Sequence, residues 1–484
     1  MTNTLKSPSF DPTPWESYLA EVARRYHVPG VLAGVAQIDT RTGRQKRFVA
    51  SAGLTSLTTR VATDRSTVGQ IGSVTKLFTS LMIMQLREEG KLNLDDRVID
   101  FLPEFRLSSE FYRDVTIRHL LTHTSGINGD VFFDAGRGED AIERFVGSLA
   151  SVGSIFAPGR GWSYCNAGFT IAGRVTEVLD GRPWAESLDQ RVRKRLGLKN
   201  FFTLPEEVMA HRYLVGHVRE GGQGLWKPVP VPDMHQGRSP AGIVISDVDS
   251  LLDFGIACMR GGDAGNGQRL VSPETVAEMW KPAVDLDARL SAATSAQRTL
   301  GWMHDQWGSH RVVGHGGSKL GNNAWFRVLP DDGTVFAVLC NGGLAADAGN
   351  EICAALAETY VGAVVPPRSA ALPNAKVEIE DSWLGTYNDA VTTLKVARAA
   401  DGGYSVTVDR SRLRTRRSAM ATSAPQQMML RSTGIAYQFL ARADELSSFT
   451  PVAFTEVDGE RCVYLGTRCL PQNRGTYEGE QNES

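Results

Sequence analysis

Hydrophobic and polar residues alternate with both helical and strand-like periods in the first 365 residues. Apolar positions recur at helical spacing over 15–26 and over 74–87, and the second pattern stops near Gly90. Val31–Ile38 is a nearly continuous apolar run, which is typical of a buried strand. The pattern therefore predicts a chain segment that mixes helices and strands.

A second strand signal lies near the end of this region. Trp325–Pro330 and Val335–Cys340 flank Asp331–Gly333, and Asp-Gly between two apolar runs predicts a β-hairpin. Strands at both ends of the region with helices between them favour helices packed on an antiparallel sheet. The predicted fold class of this part is α+β.

The composition of the chain changes at Pro366–Pro373, which is rich in proline and small residues and has no apolar period. Beyond it, short β-like runs such as Tyr404–Val408 and Arg461–Leu465 are separated by turns. We therefore predict an α+β domain over 1–365, a linker, and a small antiparallel barrel or sandwich over 374–484.

Length and charge exclude several classes of protein. A chain of 484 residues with 42% hydrophobic and 22% charged residues is globular, and it is long enough for two domains. The formal net charge of -2 provides no general positive field for nucleic acid or an anionic membrane. We expect neither as a partner, and we expect no metal or cofactor.

The sequence also suggests where the protein works. The N-terminus has no apolar core of the length of a secretory signal, and the longest dense apolar stretch, Leu77–Leu86, is too short to span a membrane. Six cysteines in so long a chain are typical of reduced thiols. We expect a cytoplasmic protein in which Cys462 and Cys469 are buried small side chains rather than a disulfide.

Candidate chemistry begins with Ser73 and Lys76, at the start of the second predicted helix. A spacing of three residues places both side chains on one helical face, so that the amine can reach the hydroxyl. Burial in an apolar helix would lower the pKa of the lysine and make it a usable base. A capped helix with a surface lysine is the alternative interpretation of this pair taken alone.

Two further segments add chemistry to that pair. Pro158–Asn166 is a glycine-containing turn that delivers Tyr164 and Asn166 just before an apolar helix predicted over Phe169–Leu179. Val312–Gly317 brings a histidine and two glycines onto what we expect to be an edge strand.

Together these elements resemble the serine β-lactamase and penicillin-binding-protein superfamily, on its class C side. The resemblance rests on Ser73-x-x-Lys76, Tyr164-x-Asn166 and His315-Gly-Gly in this order, and Leu120–Ile127 also resembles a loop of that family. It extends over roughly residues 15–350. It implies a β-lactamase/transpeptidase-like catalytic domain.

The resemblance implies catalytic roles for three side chains. Ser73 would be the nucleophile, Lys76 its activating partner, and Tyr164 the general base that passes the proton to the leaving group. The backbone N–H groups of Ser73 and Ser318 would form the oxyanion hole. The reaction would pass through an acyl-enzyme.

The resemblance also implies groups that hold the substrate. Asn166 would hydrogen-bond Lys76 and a substrate amide, and His315 would orient Tyr164 and the substrate. Gly316 and Gly317 would let the substrate backbone lie close to the strand. Penicillin-recognising members have Lys-Thr-Gly where this chain has His-Gly-Gly, so a fixed ammonium is replaced by an imidazole that is mostly neutral at pH 7. Esterases, D-peptidases and acyltransferases fit this change better than β-lactam hydrolysis.

Within the superfamily, the chain is similar to standalone penicillin-binding-protein-type thioesterases, which add a C-terminal lipocalin-like domain. That similarity implies a peptidyl thioester substrate, presented by an acidic carrier-protein domain of a peptide synthetase, with a D-residue at its C-terminus. The peptide's own amine would release a head-to-tail macrolactam. The alternatives are a cytosolic D-aminopeptidase, D-peptidase or esterase with the same mechanism, and a non-catalytic binding module.

Other candidate residues have simpler interpretations. His119 and His123 are four apart, as in helical metal sites, but the glutamate of a zinc protease is absent and we interpret them as structural. Cys165 should point away from the pocket and serve packing. Arg410–Arg417 is interpreted as a solvated strand face, with a docking patch for an acidic or phosphate-bearing carrier as the alternative.

Overall fold

A computed structural model gives the arrangement of most of the chain. The residues it describes are 9–39, 41–131, 133–219, 225–229, 235–367, 369–372, 375–399, 402–410, 424–445 and 447–473. The α-helices are α1 Thr13–Arg25, α2 Thr75–Glu88, α3 Val98–Phe101, α4 Ile117–Thr122, α5 Ala141–Ser148, α6 Asn166–Asp180, α7 Trp184–Leu188, α8 Lys194–Leu196, α9 Ser239–Gly242, α10 Val248–Met259, α11 Pro273–Trp280 and α12 Ala345–Val361. Within these residues, we find no helix of the length and apolar character needed to cross a membrane.

The strands fall into a long first group and a shorter second group along the chain. The first group is β1 Gly30–Ile38, β2 Gln45–Gly53, β3 Gly69–Gln70, β4 Phe201–Phe202, β5 His217–Val218, β6 Lys227–Pro228, β7 Ile245–Ser246, β8 Val284–Asp285, β9 Gln297–Arg298, β10 Met303–Trp307, β11 His310–Lys319, β12 Asn322–Leu329 and β13 Thr334–Cys340. The second group is β14 Gly385–Asn388, β15 Thr393–Arg398, β16 Tyr404–Asp409, β17 Gln426–Met429, β18 Arg431–Ser432, β19 Gln438–Ala441, β20 Thr450–Val457, β21 Glu460–Leu465 and β22 Arg468–Pro471.

Eight strands form the central sheet in the order β2-β1-β13-β12-β11-β10-β9-β8, and every neighbouring pair is antiparallel. The predicted hairpin is confirmed as β12 and β13, which join through a tight turn ending at Gly333. β12 begins at Asn322, earlier than the pattern suggested, and Pro330 belongs to the turn rather than to the strand.

The prediction that the His-Gly-Gly strand lies at a sheet edge is wrong for the strand as a whole. β11 lies between β10 and β12 in the sheet order. However, β10 pairs with β11 only as far as Gly314, whereas β12 continues to pair as far as Lys319. The short length of β10 therefore leaves edge character only in His315–Lys319, where the glycines lie.

Helices cover both faces of the central sheet and confirm the α+β class. α1 and α12 pack on one face, against β2 and β13. α10 packs on the opposite face, where the larger core also encloses α2 and α6. All residues from Thr75 to Leu86 are buried, because α2 runs through the middle of this core instead of along the surface.

The C-terminal residues form two antiparallel sheets, β14-β15-β16-β17 and β18-β19-β20-β21-β22, with apolar side chains of both sheets in one core. The predicted all-β domain is thus present, while the division at 366–373 stays a prediction. A separate apolar cluster joins this region to the α+β region. Its buried members are Phe156, Trp162, Leu290, Ala453, Cys462, Tyr464 and Cys469. None of the six cysteines forms a disulfide, and all six are buried.

Candidate active site

Ser73 lies in a 3₁₀ turn, Gly72–Val74, that leads directly into α2. The backbone of Gly72 has a φ of 51°, and a Cβ there would lie 2.6 Å from the backbone nitrogen of Ser318. Only glycine fits this left-handed, crowded position. The turn therefore brings the Ser73 hydroxyl and the first turn of α2 against β11.

Lys76 is fully buried, and its amine has three oxygen neighbours. Nζ lies 2.6 Å from the carbonyl oxygen of Ala241, 2.8 Å from Oδ1 of Asn166 and 3.1 Å from Oγ of Ser73. The first two oxygens can only accept, and a neutral amine has two protons to donate to them. Its lone pair is then available for the proton of the Ser73 hydroxyl, which is the geometry of a base.

The electrostatic surroundings of Lys76 favour that neutral form. Burial and, after it, the positive charge of Arg468 hold the pKa of Lys76 well below its ordinary value. The carboxylate of Asp130 acts in the opposite direction. The alternative interpretation of Lys76 as a surface lysine is wrong, because the apolar helix that carries it lies in the core.

Tyr164 is stacked between aromatic and cationic groups beside Lys76. Its ring lies 5.0 Å from Nζ of Lys76, 4.5 Å from the guanidinium carbon of Arg468 and 4.3 Å, between centroids, from the ring of His123. Its buried hydroxyl completes no hydrogen bond within the described residues. Burial raises the pKa of Tyr164 to about 12, although the positive charges of Arg468 and Arg298 act to lower it. The resting phenol is therefore protonated at neutral pH and can give its proton to a leaving group.

Asn166 joins this group from the start of α6. The predicted helix begins here rather than at Phe169, so Asn166 occupies the first helical turn. Its amide is oriented at both ends: Oδ1 accepts from Lys76, and Nδ2 donates to Oδ1 of Asp130 over 2.5 Å. Cys165, the residue before it, is buried in the core, as predicted for a packing residue. Its sulfur also accepts a hydrogen bond from the backbone N–H of Gly168.

β11 closes the other side of the site. A Cβ on Gly317 would lie 1.9 Å from the carbonyl oxygen of Ile71 and 3.0 Å from the backbone nitrogen of Ser73. Glycine thus permits the contact that places the N–H groups of Ser73 and Ser318 near each other. Ser318 itself is exposed, so the site opens to solvent here.

His315, on the same strand, is buried, and its Nδ1 lies within hydrogen-bond distance of the carbonyl oxygen of Gly316. The centroid of its ring is 6.1 Å from that of Tyr164. Burial holds the pKa of His315 well below its usual range. The imidazole is therefore neutral at pH 7, as the sequence predicts for the group that replaces the ammonium.

Two charged residues of the site have no counterpart in the sequence motifs. Arg468, at the start of β22, donates from Nε to Oδ2 of Asp130 over 3.0 Å and lies against the ring of Tyr164. The backbone N–H of Tyr164 donates to the carbonyl oxygen of Thr467. No local pattern marks Asp130 or Arg468, because the contact between them joins residues that are 338 positions apart in the chain. The C-terminal sheets thus supply part of the site.

Both candidate metal-ligating histidines have structural partners. Nδ1 of His119 accepts from the backbone N–H of Thr116 in a capping box, and Nδ1 of His123 accepts from that of Cys165. In the described ranges, no group of three or more His, Cys, Asp or Glu residues could hold a metal ion. Of the basic run, Arg410 is described and exposed, while residues 411–417 lie outside the described residues.

This fold and the Ser73-Lys76-Tyr164 group define a class of serine acyl-transferring enzymes and their relatives. The model of the beta-lactamase family matches residues 15–361, and the chain belongs to this family. It is 37% identical to penicillin-binding protein 4 of Amycolatopsis lactamdurans over 339 residues, which is 69% of this chain and 87% of that protein. It is also 24% identical to the D-aminopeptidase of Brucella anthropi over 64% of this chain and 56% of that protein.

Comparison with solved structures extends the similarity into the C-terminal sheets. The structure of SurE is 22% identical and covers 96% of this chain and 99% of that chain, with a TM-score of 0.73. A structure of SurE with D-Leu gives a TM-score of 0.70 at the same identity and coverage. The fold of this protein, including its C-terminal β region, is therefore that of SurE.

Proposed function

We propose that this protein is a serine acyltransferase that releases a peptidyl thioester as a macrolactam, acting in trans on a peptide held by a carrier-protein domain. The observation that carries this proposal is the contribution of the C-terminal sheets to the site. The β21–β22 hairpin places Thr467 in its turn and Arg468 at the start of β22 directly on Tyr164. Such a cover favours an amine over water as the attacking group.

The proposed acylation step uses the resting protonation states. Lys76 takes the proton of the Ser73 hydroxyl as Oγ bonds to the thioester carbonyl carbon. The N–H groups of Ser73 and Ser318 stabilise the oxyanion. The carbon–sulfur bond then breaks, and the phenol of Tyr164 protonates the departing thiolate. An ester on Ser73, an ammonium on Lys76 and a phenolate on Tyr164 result.

The release step reverses these transfers. The N-terminal amine of the bound peptide attacks the ester carbonyl and gives its proton to the Tyr164 phenolate. Lys76 returns its proton to Oγ as the bond to Ser73 breaks, and the amide closes the ring. The cations near Tyr164, which include the buried Arg298 and the partly exposed Arg468, favour the phenolate that this cycle requires.

Full-length similarity to SurE supports the proposal, because it includes the C-terminal region that covers the site. A structure of SurE with D-Leu supports a D-residue at the acylating end of the substrate. We further propose that the reaction takes place in the cytoplasm.

The test uses a linear peptide thioester with a free N-terminus and a D-residue at its C-terminus. We expect a product that has lost only the thiol, identified by its mass, whereas hydrolysis adds one water. The same peptide with an acetylated N-terminus cannot close a ring and controls for acylation alone. Ser73→Ala should abolish both reactions; release of only the linear acid from the free peptide would contradict cyclisation.

A hydrolase of the same mechanism is the second candidate. The similarity to a D-aminopeptidase over 64% of this chain favours it. A hydrolase would cleave short amides or esters of D-residues. It would also hydrolyse the acetylated thioester peptide at a similar rate, because hydrolysis does not need a free N-terminus.

A further inference from the structure

Asp130 lies beside the site, where the α+β region contacts the C-terminal sheets. Its Oδ1 accepts from Nδ2 of Asn166 over 2.5 Å, and its Oδ2 accepts from Nε of Arg468 over 3.0 Å. The same Asn166 amide accepts from Lys76 through its other end. A continuous chain of hydrogen bonds therefore runs from the C-terminal sheets to the amine beside the nucleophile.

We propose that Asp130 is a positioning residue for acyl transfer, one that orients the Asn166 amide toward Lys76 and transmits the placement of Arg468 to it. This inference rests on the proposed Ser73 chemistry and adds a residue that the motifs do not contain.

The orientation of the Asn166 amide depends on its partners. An amide has a donor end and an acceptor end, and only the acceptor end can take a proton of Lys76. The carboxylate of Asp130 accepts only, so it selects the orientation that presents Oδ1 to Lys76. With a neutral amide at position 130, either orientation of Asn166 would find a partner.

Asp130 also balances positive charge in a buried site. Burial alone would raise the pKa of Asp130, but Arg468 and the hydrogen bonds hold it below its usual value, so the carboxylate is charged. This charge opposes the effect of Arg468 on Lys76. The charged and titratable groups that face Lys76 or interact with its charge are Asp130, Tyr164, Cys165, Lys319, Arg468, His123 and His315.

The test is hydrolysis of p-nitrophenyl butyrate between pH 5.5 and 9, which reports acylation of Ser73 whatever the natural acceptor is. Activity needs neutral Lys76 and therefore rises with pH through the pKa of this residue. Asp130→Asn removes an anion that favours the ammonium. We expect the rising limb to move to lower pH by about one unit, and kcat to fall about tenfold to hundredfold with a smaller change in KM.

Two variants keep this test decisive. Asp130→Glu retains the charge, so we expect the limb to stay in place while the displaced carboxylate lowers kcat. Asp444→Asn removes another ion pair between the two regions, the 2.9 Å contact with Arg219, while the Asp130–Arg468 pair stays intact, and it should change neither quantity. If Asp130→Asn does not fold, the Asp130→Glu result decides.

Either a normal kcat or an unmoved limb in Asp130→Asn would overturn the inference, and so would a normal kcat in Asp130→Glu. Failure of the proposed function has a different signature: Ser73→Ala would then hydrolyse the ester as fast as the unmodified protein.

Discussion

At Lys76, the chemistry proposed for one side chain opposes the stability of the fold. In the unfolded chain, the Lys76 amine stays protonated until the pH rises to its ordinary pKa, near 10.4. The folded protein releases the proton at lower pH, because burial and Arg468 lower the pKa. Between the two values the unfolded state binds more protons, so the free energy of unfolding rises with pH.

We therefore expect Lys76→Met to be more stable than the unmodified protein at pH 7, and inactive. The stability difference between the two proteins should shrink as pH rises, by up to about 1.4 kcal/mol per unit. Urea unfolding at pH 6.5, 7.5 and 8.5 measures it. Lys91→Met, at a half-exposed surface lysine, should show no such trend. A difference that is independent of pH would mean that buried Lys76 is charged.

Local spacing predicts only part of the site at this scale. Ser73 and Lys76 are one helical turn apart, so sequence alone places them together. A family resemblance is needed to select Tyr164, Asn166 and His315 from the other tyrosines, asparagines and histidines of the chain. Asp130 and Arg468 could not be chosen at all, because a lone aspartate after a glycine and an arginine in a hairpin have no distinctive pattern.

At the scale of elements, the contact between β11 and the turn Gly72–Val74 sets the position of Ser73, the proposed nucleophile. Gly317 allows this contact because it has no Cβ; a Cβ at this position would overlap the carbonyl oxygen of Ile71. We expect Gly317→Ala to lower stability by about 1–3 kcal/mol. We also expect it to lower kcat at least about a hundredfold, since the oxyanion donors separate.

Thermal unfolding and ester hydrolysis measure these two effects. Gly147→Ala, in α5, is the matched control, because a Cβ there meets no atom within 4 Å. It should keep full activity. A Gly317→Ala variant with normal kcat would show that the two backbones do not need this contact.

Helices and strands are predicted well where a periodic apolar pattern is long. The position of a strand within the sheet is not, because it depends on which strands pair. The helical and strand patterns of α1, β1 and β12–β13 give these elements within a few residues. The position of β11 inside the sheet could not be found in the same way. It depends on β8 to β10, which are too short or too polar to show a strand pattern.

For the whole molecule, the apolar cluster that includes Leu290 holds the C-terminal sheets on the catalytic region. Leu290 is 3% exposed and lies beside Trp162 and Tyr464 in that cluster. An aspartate there would be a buried charge without a partner, which costs several kcal/mol. We expect Leu290→Asp to separate the two regions and remove Thr467 and Arg468 from Tyr164.

The expected result is loss of macrolactam formation together with two unfolding transitions in calorimetry instead of one. Leu225→Asp, at a leucine that is 83% exposed, should change neither. Cyclisation by a Leu290→Asp protein with separated regions would contradict a role for the C-terminal sheets.

The open edge of His315–Lys319 has a consequence for behaviour at high concentration. Unpaired strand edges invite other chains to add to the sheet and begin aggregation. Here the edge is short, contains two glycines and ends in a lysine, and all three properties disfavour a long intermolecular ladder. A second copy of the protein therefore finds only a short stretch of free strand to pair with, and we expect the protein to remain unaggregated at high concentration.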